Sequence, residues 1–177
     1  MLRNALFCAA ALLAGFGNAY SQSPYAGQES REIKALSPQD VSDLLAGKGM
    51  GFAKAAELNG YPGPMHVLEL APQLQLTPEQ KVGTDALFKK VKARAVDIGR
   101  QLVEEERALD RQFSSKSITP ASLQSSLERI GKLQAELRRV HLETHLEQIA
   151  LLSDTQIAAY SKLRGYGRGG DQSSHRH

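Results

Sequence analysis

Two short segments of the same design, one mid-chain and one near the end, constrain the fold most. Leu76-Thr77-Pro78-Glu79-Gln80 and Leu152-Ser153-Asp154-Thr155-Gln156 each place a glutamine three positions after a hydroxyl residue. In such a capping box the hydroxyl accepts a hydrogen bond from a backbone N–H of the first helical turn, and the glutamine reaches back to the cap. Both segments therefore predict helix starts. The capping residues are Thr77, Gln80, Ser153 and Gln156.

Two long stretches carry apolar residues at spacings of three and four, which is typical of a helix with one apolar face. The stripe from Pro78 to about Phe113 comprises Leu87, Val91, Ala95, Ile98, Leu102, Leu109 and Phe113. The stripe over residues 120–151 comprises Leu123, Leu127, Ile130, Leu133, Leu137 and Val140. The fold class predicted is all-α: a long antiparallel helical hairpin with short flanking helices. At about 1.5 Å per residue each helix is roughly 45–55 Å long, so we expect an elongated, cradle-like dimer that covers both stripes.

The first 21 residues read as a secretory signal peptide. Arg3 precedes an apolar run from Ala5 to Phe16, and small residues then allow cleavage after Ala19 or Ser21. The single cysteine, Cys8, lies inside this run, so the mature chain has no thiol for a disulfide or a metal. We expect an exported protein that is stabilised by packing.

The rest of the chain divides by composition. Residues 22–36 are expected to be flexible, and residues 37–63 form short helices interrupted by glycines and end in a turn. Residues 64–164 contain the hairpin, preceded by a short helix from Met65 to about Gln75 that is kinked at Pro72. Residues 165–177, rich in glycine and ending in two histidines, are expected to form a disordered tail.

Charge and hydropathy argue against two classes of partner. Residues 22–163 contain 18 basic and 18 acidic residues, so the net charge of +3 comes from the two ends of the chain. Nucleic-acid binding needs clustered cations, which this distribution does not provide. No apolar stretch of about 20 residues follows the leader, so no membrane span is expected.

The two Leu-Thr/Ser-x-x-Gln segments behind a signal peptide resemble the LTXXQ family of periplasmic proteins, over roughly residues 64–164. The resemblance implies a periplasmic location and a homodimer. Spy-like members of that family are chaperones for unfolded clients that work without ATP, and CpxP-like members restrain a sensor histidine kinase. ZraP-like and CnrX-like members bind zinc, nickel or cobalt in metal resistance. This chain departs from the family pattern at its second copy, where Ser153-Asp154-Thr155 replaces Thr-Pro-Glu.

Histidine placement favours the metal-binding branch. His141 and His145 are four residues apart, which puts both imidazoles on one helix face at a spacing that suits one divalent ion. If residues 115–119 turn the hairpin, His66 on the preceding short helix comes to nearly the same level, with Glu69 beside it. We therefore predict a site for zinc, nickel or another divalent transition metal. Its candidate ligands are His141, His145, His66 and Glu69.

Other interpretations stay open. A histidine pair on a helix is often a hydrogen-bonded or solvated flank, which leaves a metal-independent chaperone or a kinase inhibitor as the alternative. Catalytic spacings do not occur: Glu143 is two residues after His141, whereas a zincin needs His-Glu-x-x-His. We find no nucleophile paired with a base, and we expect no enzyme.

Overall fold

The computed structural model describes residues 23–166, and within them it contains only helices and turns. Residues 23–30 form a small unit of turns, and the compact unit begins at Arg31. The helices are α1 (Pro38–Leu45), α2 (Lys54–Glu57), α3 (Pro64–Glu69), α4 (Pro78–Ser114), α5 (Pro120–Ile149) and α6 (Asp154–Leu163). The residues predicted to form a signal peptide, and also His175 and His177, lie outside the described residues. The all-α prediction is confirmed for the part described.

Helices α4 and α6 begin where the sequence places their caps. Thr77 and Ser153 each accept a hydrogen bond from the backbone N–H three residues on, and Gln80 and Gln156 bond back to the cap backbone. Thr119 does the same with Ser122 at the start of α5, a reciprocal partner that the sequence reading had not assigned. Capping supplies acceptors to backbone N–H groups that have none inside the helix.

Helices α4 and α5 pack antiparallel. Ion pairs cross the hairpin between Lys90 and Glu147 and between Arg129 and Glu105, near opposite ends of the pair. Between them lies a core of buried apolar side chains from both helices, joined by α1 and the segment before it. The core residues are Ile33, Leu44, Val91, Ala95, Ile98, Leu102, Val103, Ile130, Leu137 and Val140.

A second apolar cluster closes the open end of the hairpin. Val67, Leu74 and Leu76 pack there with Tyr160 of α6. Helix α6 therefore folds back onto the segment that leads into α4. Tyr166 also packs against this cluster, so chain that we expected to belong to the tail takes part in the fold.

The structure corrects several details. Helix α3 ends at Glu69 rather than near Gln75, because the residue before Pro72 is disfavoured in helical conformation. Phe113 and Leu127, predicted on the packed stripes, are 54% and 52% exposed, since they lie near the hairpin tip where fewer elements cover them. The expected flexible segment is anchored at its end, where Ile33 is buried.

Within residues 23–166, no helix combines the length and the apolar character that crossing a membrane requires.

Candidate functional site

A cavity of about 800 Å³ lies between the glycine-containing segment before α2, the start of α3 and the middle of the hairpin. We call it the glycine-walled cavity, because Gly47, Gly49, Gly51 and Gly63 contribute to its lining. The exposed surface of the lining is mostly apolar by area, although apolar and polar residues contribute to it in similar numbers. The apolar side chains are Ala46, Met50, Ala53, Leu58, Pro64, Met65, Phe88 and Val91. Its volume falls within the roughly 300–1,000 Å³ of typical ligand pockets.

Two glycines allow the chain to lie close to the hairpin at this cavity. A Cβ on Gly63 would lie 2.8 Å from Cε1 of His145, so any side chain there would have to displace the buried imidazole. Gly47 has a φ of +64° and would place a Cβ 3.0 Å from the backbone carbonyl of Lys92. Both positions therefore require glycine, one for space and the other for conformation as well.

His145 is buried beneath the turn that precedes α3. Its Nδ1 lies 2.7 Å from the backbone carbonyl oxygen of Tyr61, and this geometry makes Nδ1–H the donor. Its Nδ1 is also 3.8 Å from the carboxylate of Glu57. The imidazole thus ties the turn to α5, with its Cε1 edge against Gly63.

Glu57 is the centre of a polar network at the edge of the cavity. The hydroxyl of Tyr160 donates to its Oε1 at 2.5 Å, and the guanidinium of Arg164 lies 3.5 Å away. Burial, together with the hydrogen bond to Glu57, raises the pKa of Tyr160 far above its usual value. Tyr160 therefore stays a neutral donor, and the network links α2, α5 and α6.

His141 has the opposite character, because its Nε2 is buried and has no hydrogen-bond partner among residues 23–166. The ring stacks on Phe52, with 6.0 Å between centroids and 16° between planes. Burial, and then the nearby charge of His145, lowers the pKa of His141 below its usual value. A neutral imidazole with a free nitrogen therefore lines the cavity.

His66 also lines the cavity, and its hydrogen bond is to a carboxylate on its own helix. Its Nδ1 lies 2.8 Å from Oε2 of Glu69, one helical turn further along α3. The three histidines that the sequence predicts to converge do all line one cavity, together with the Met65 thioether. Glu69 is not part of that lining.

The arrangement of these side chains does not form a metal-ligand set. Among residues 23–166, no three His, Cys, Asp or Glu side chains are grouped so that they can hold one ion. Two of the three imidazoles already use Nδ1 on Tyr61 and Glu69. Metal binding stays a prediction.

Known proteins give no further guidance. Comparison with family models, curated proteins and solved structures finds no significant match. The resemblance to the LTXXQ family therefore stays a prediction that rests on the two motifs.

Sequence reasoning missed several residues of this site. Glu57 and Tyr160 lie 103 positions apart in the chain, so only the folded structure brings them together. Phe52 carries no sequence signal of a site, because it follows three glycines that indicate a break in the helix. A carboxylate in the otherwise uncharged stretch from Ala55 to Pro64 was the one available signal.

Proposed function

We propose that this protein is an exported, ATP-independent chaperone that binds apolar segments of partly unfolded proteins without a metal ion. The glycine-walled cavity carries the proposal, because it is large and open and most of its lining surface is apolar. Such a surface receives the apolar groups that an unfolded client exposes, and their burial drives binding. The LTXXQ resemblance supports a periplasmic location.

The proposal includes a cradle-like homodimer. Its support is a set of apolar side chains on α4 and α5 that remain exposed in one chain, among them Val82, Phe113, Leu127 and Leu146. Sedimentation of the mature protein tests this part: a single monomeric species at micromolar concentration would contradict it.

The test of client binding is suppression of aggregation of a chemically denatured client, in the presence of a chelator. Met50→Asp/Met65→Asp places two charges on the cavity lining. Neither change strains the fold, because Met50 has a φ of +43°, which Asp tolerates better, and Met65 lies in the first turn of α3, where an acid is favoured. We expect this variant to lose most of its protection.

The matched control is Tyr25→Asp/Leu163→Asp, which adds the same charges at exposed apolar positions away from both the cavity and the α4 and α5 surface assigned to the dimer. It should protect the client as the unaltered protein does. Equal protection by the cavity variant would overturn the proposal, and so would no protection by the unaltered protein at equimolar concentration.

Divalent-metal binding is a second candidate, favoured by the unpartnered Nε2 of His141 in a cavity that His66, His145 and Met65 also line. Binding would require side chains to move, since no ligand set is assembled in the described residues. Zinc and nickel titrations of mature protein carrying His175→Gln and His177→Gln test it. Stoichiometric binding that His141→Ala abolishes would establish the site. A calorimetric titration that shows no binding of either metal would exclude it.

A further inference from the structure

The opening of the glycine-walled cavity carries an excess of positive charge. Lys54 and Lys92 line it and are exposed. Neither forms an ion pair within residues 23–166, unlike Lys48, whose ammonium is 2.7 Å from Asp43. A shallower groove shares Met50 and Lys54 with the cavity and adds Arg138, a further cation with no ion pair among the described residues.

Among the described residues a single carboxylate lines the cavity, and it does not offset these cations. Glu57 is already engaged by the hydroxyl of Tyr160 and by Arg164. Its side chain is 13% exposed, so little of its charge reaches the solvent at the opening. The entrance is therefore favourable for an anion and the interior for an apolar group.

His141 adds a polar contact within the lining. Within the part of the chain that the structure describes, its Nε2 is buried without a partner, although buried polar atoms are generally hydrogen-bonded. Because burial keeps the ring neutral, one ring nitrogen carries a proton that it can donate to an oxygen of a bound molecule. The stack with Phe52 fixes the orientation of the ring.

From this combination we infer that the glycine-walled cavity binds a free long-chain carboxylate. The apolar chain lies against Met50, Met65 and Phe88, and the carboxylate is attracted by Lys54 and Lys92 and accepts a hydrogen bond from His141. The inference rests on the proposed function, because the cavity must bind apolar groups. It adds that the cavity prefers apolar molecules that carry an anionic head group.

The experiment compares three ligands of equal chain length, dodecanoate, dodecanol and dodecylammonium, each titrated calorimetrically into delipidated mature protein below its aggregation concentration. We expect dodecanoate to bind about tenfold more tightly than the alcohol, and more tightly still than the amine. Lys54→Gln/Lys92→Gln should remove most of this preference. Because both lysines are exposed, the variant is expected to fold.

The control is Lys81→Gln/Lys132→Gln, which removes two exposed lysines outside the cavity and should leave the preference unchanged. His141→Gln should weaken dodecanoate more than dodecanol, a difference that a purely structural role would not produce. Circular dichroism of each variant checks that it is folded.

The outcomes separate this inference from the proposed function. Equal binding of all three ligands would overturn selection by charge and leave the apolar cavity in place. Binding of dodecanoate that neither the lysine variant nor His141→Gln weakens would place the carboxylate elsewhere and overturn the inference. Absence of ligand binding alongside intact client protection would overturn the inference alone, whereas loss of client protection would overturn the proposed function.

Discussion

Gln80 and Gln156 bond to each other through both ends of their amides. Nε2 of each donates to Oε1 of the other at 2.9 Å, across 76 positions of the chain. Each amide also caps its own helix and donates to a backbone carbonyl of another segment, Leu151 for Gln80 and Leu74 for Gln156. The two motifs that the sequence offers as separate helix caps are thus one joint between the start of α4 and the start of α6.

This joint should behave as a unit in a double-mutant cycle. Gln80→Ala and Gln156→Ala each remove a cap and leave the partner amide half-satisfied, so each should cost about 1–2 kcal/mol of unfolding free energy. The double variant should lose less unfolding free energy than the two single variants together, because the second substitution removes the amide that the first had left without its partner. Urea unfolding measures all three; strict additivity would contradict the joint.

Gly99 allows α1 to contact the hairpin directly. A Cβ at this position would lie 2.2 Å from the backbone oxygen of Leu44, and backbone cannot move aside cheaply. Gly99→Ala should therefore destabilise the protein by about 2 kcal/mol or more, with α1 displaced. Gly131, in α5 with nothing near its Cβ position, is the control. Gly131→Ala should stabilise the protein by about 0.5–1 kcal/mol. Thermal unfolding should therefore show a lower melting temperature for Gly99→Ala and a higher one for Gly131→Ala.

Tyr160→Phe tests the network around Glu57 without changing shape. The change removes the hydroxyl that donates to Glu57 and keeps the buried ring in its apolar cluster. A lost hydrogen bond to a charged group should cost about 1.5–3 kcal/mol, measured by urea unfolding. Tyr25→Phe, at a tyrosine that is 72% exposed, should change nothing. A loss below about 0.5 kcal/mol in Tyr160→Phe would show that Arg164 alone satisfies the carboxylate.

Glu106 should make stability depend on pH. Burial raises its pKa above the ordinary 4.5 in the folded chain, so the folded state retains this proton to higher pH than the unfolded state. Stability therefore falls as pH rises from about 4.5 through the raised folded value, because the carboxylate must ionise where it is poorly solvated.

The variant Glu106→Gln removes that titration. It should be more stable than the unaltered protein at pH 7, by roughly 1 kcal/mol, and equal to it near pH 4. Chemical unfolding across this range measures the difference. A gap that stays constant with pH would assign the effect to packing rather than to ionisation.

Local signals were sufficient for most of the helical architecture. Capping residues such as Thr77 and Ser153 act within four positions of the chain, and the apolar stripe through Val91, Ala95 and Ile98 follows from helical period alone. Both kinds of signal are visible in sequence because the interacting groups are neighbours along the chain.

The candidate site was only partly readable, because its contacts are distant in sequence. The histidines His66, His141 and His145, expected at nearly the same level of the hairpin, all line the cavity. The hydrogen-bond partner of each ring nitrogen could not be predicted. The bond to the Tyr61 carbonyl and the close contact at Gly63 both depend on the path of a turn, which residue spacing does not specify. The cavity itself follows from how α2 and α3 sit on the hairpin, which sequence patterns do not encode.

The bond between the Tyr61 carbonyl and His145 spans 84 positions, and this separation has a consequence for synthesis. One wall of the cavity leaves the ribosome long before the other, so Met50 of that wall and Phe52, which stacks on His141, emerge before the residues they pack against. Until α5 follows, the nascent chain presents the kind of apolar segment that the folded protein is proposed to shelter. Premature termination before His145 would therefore release a fragment prone to aggregation rather than a smaller working protein.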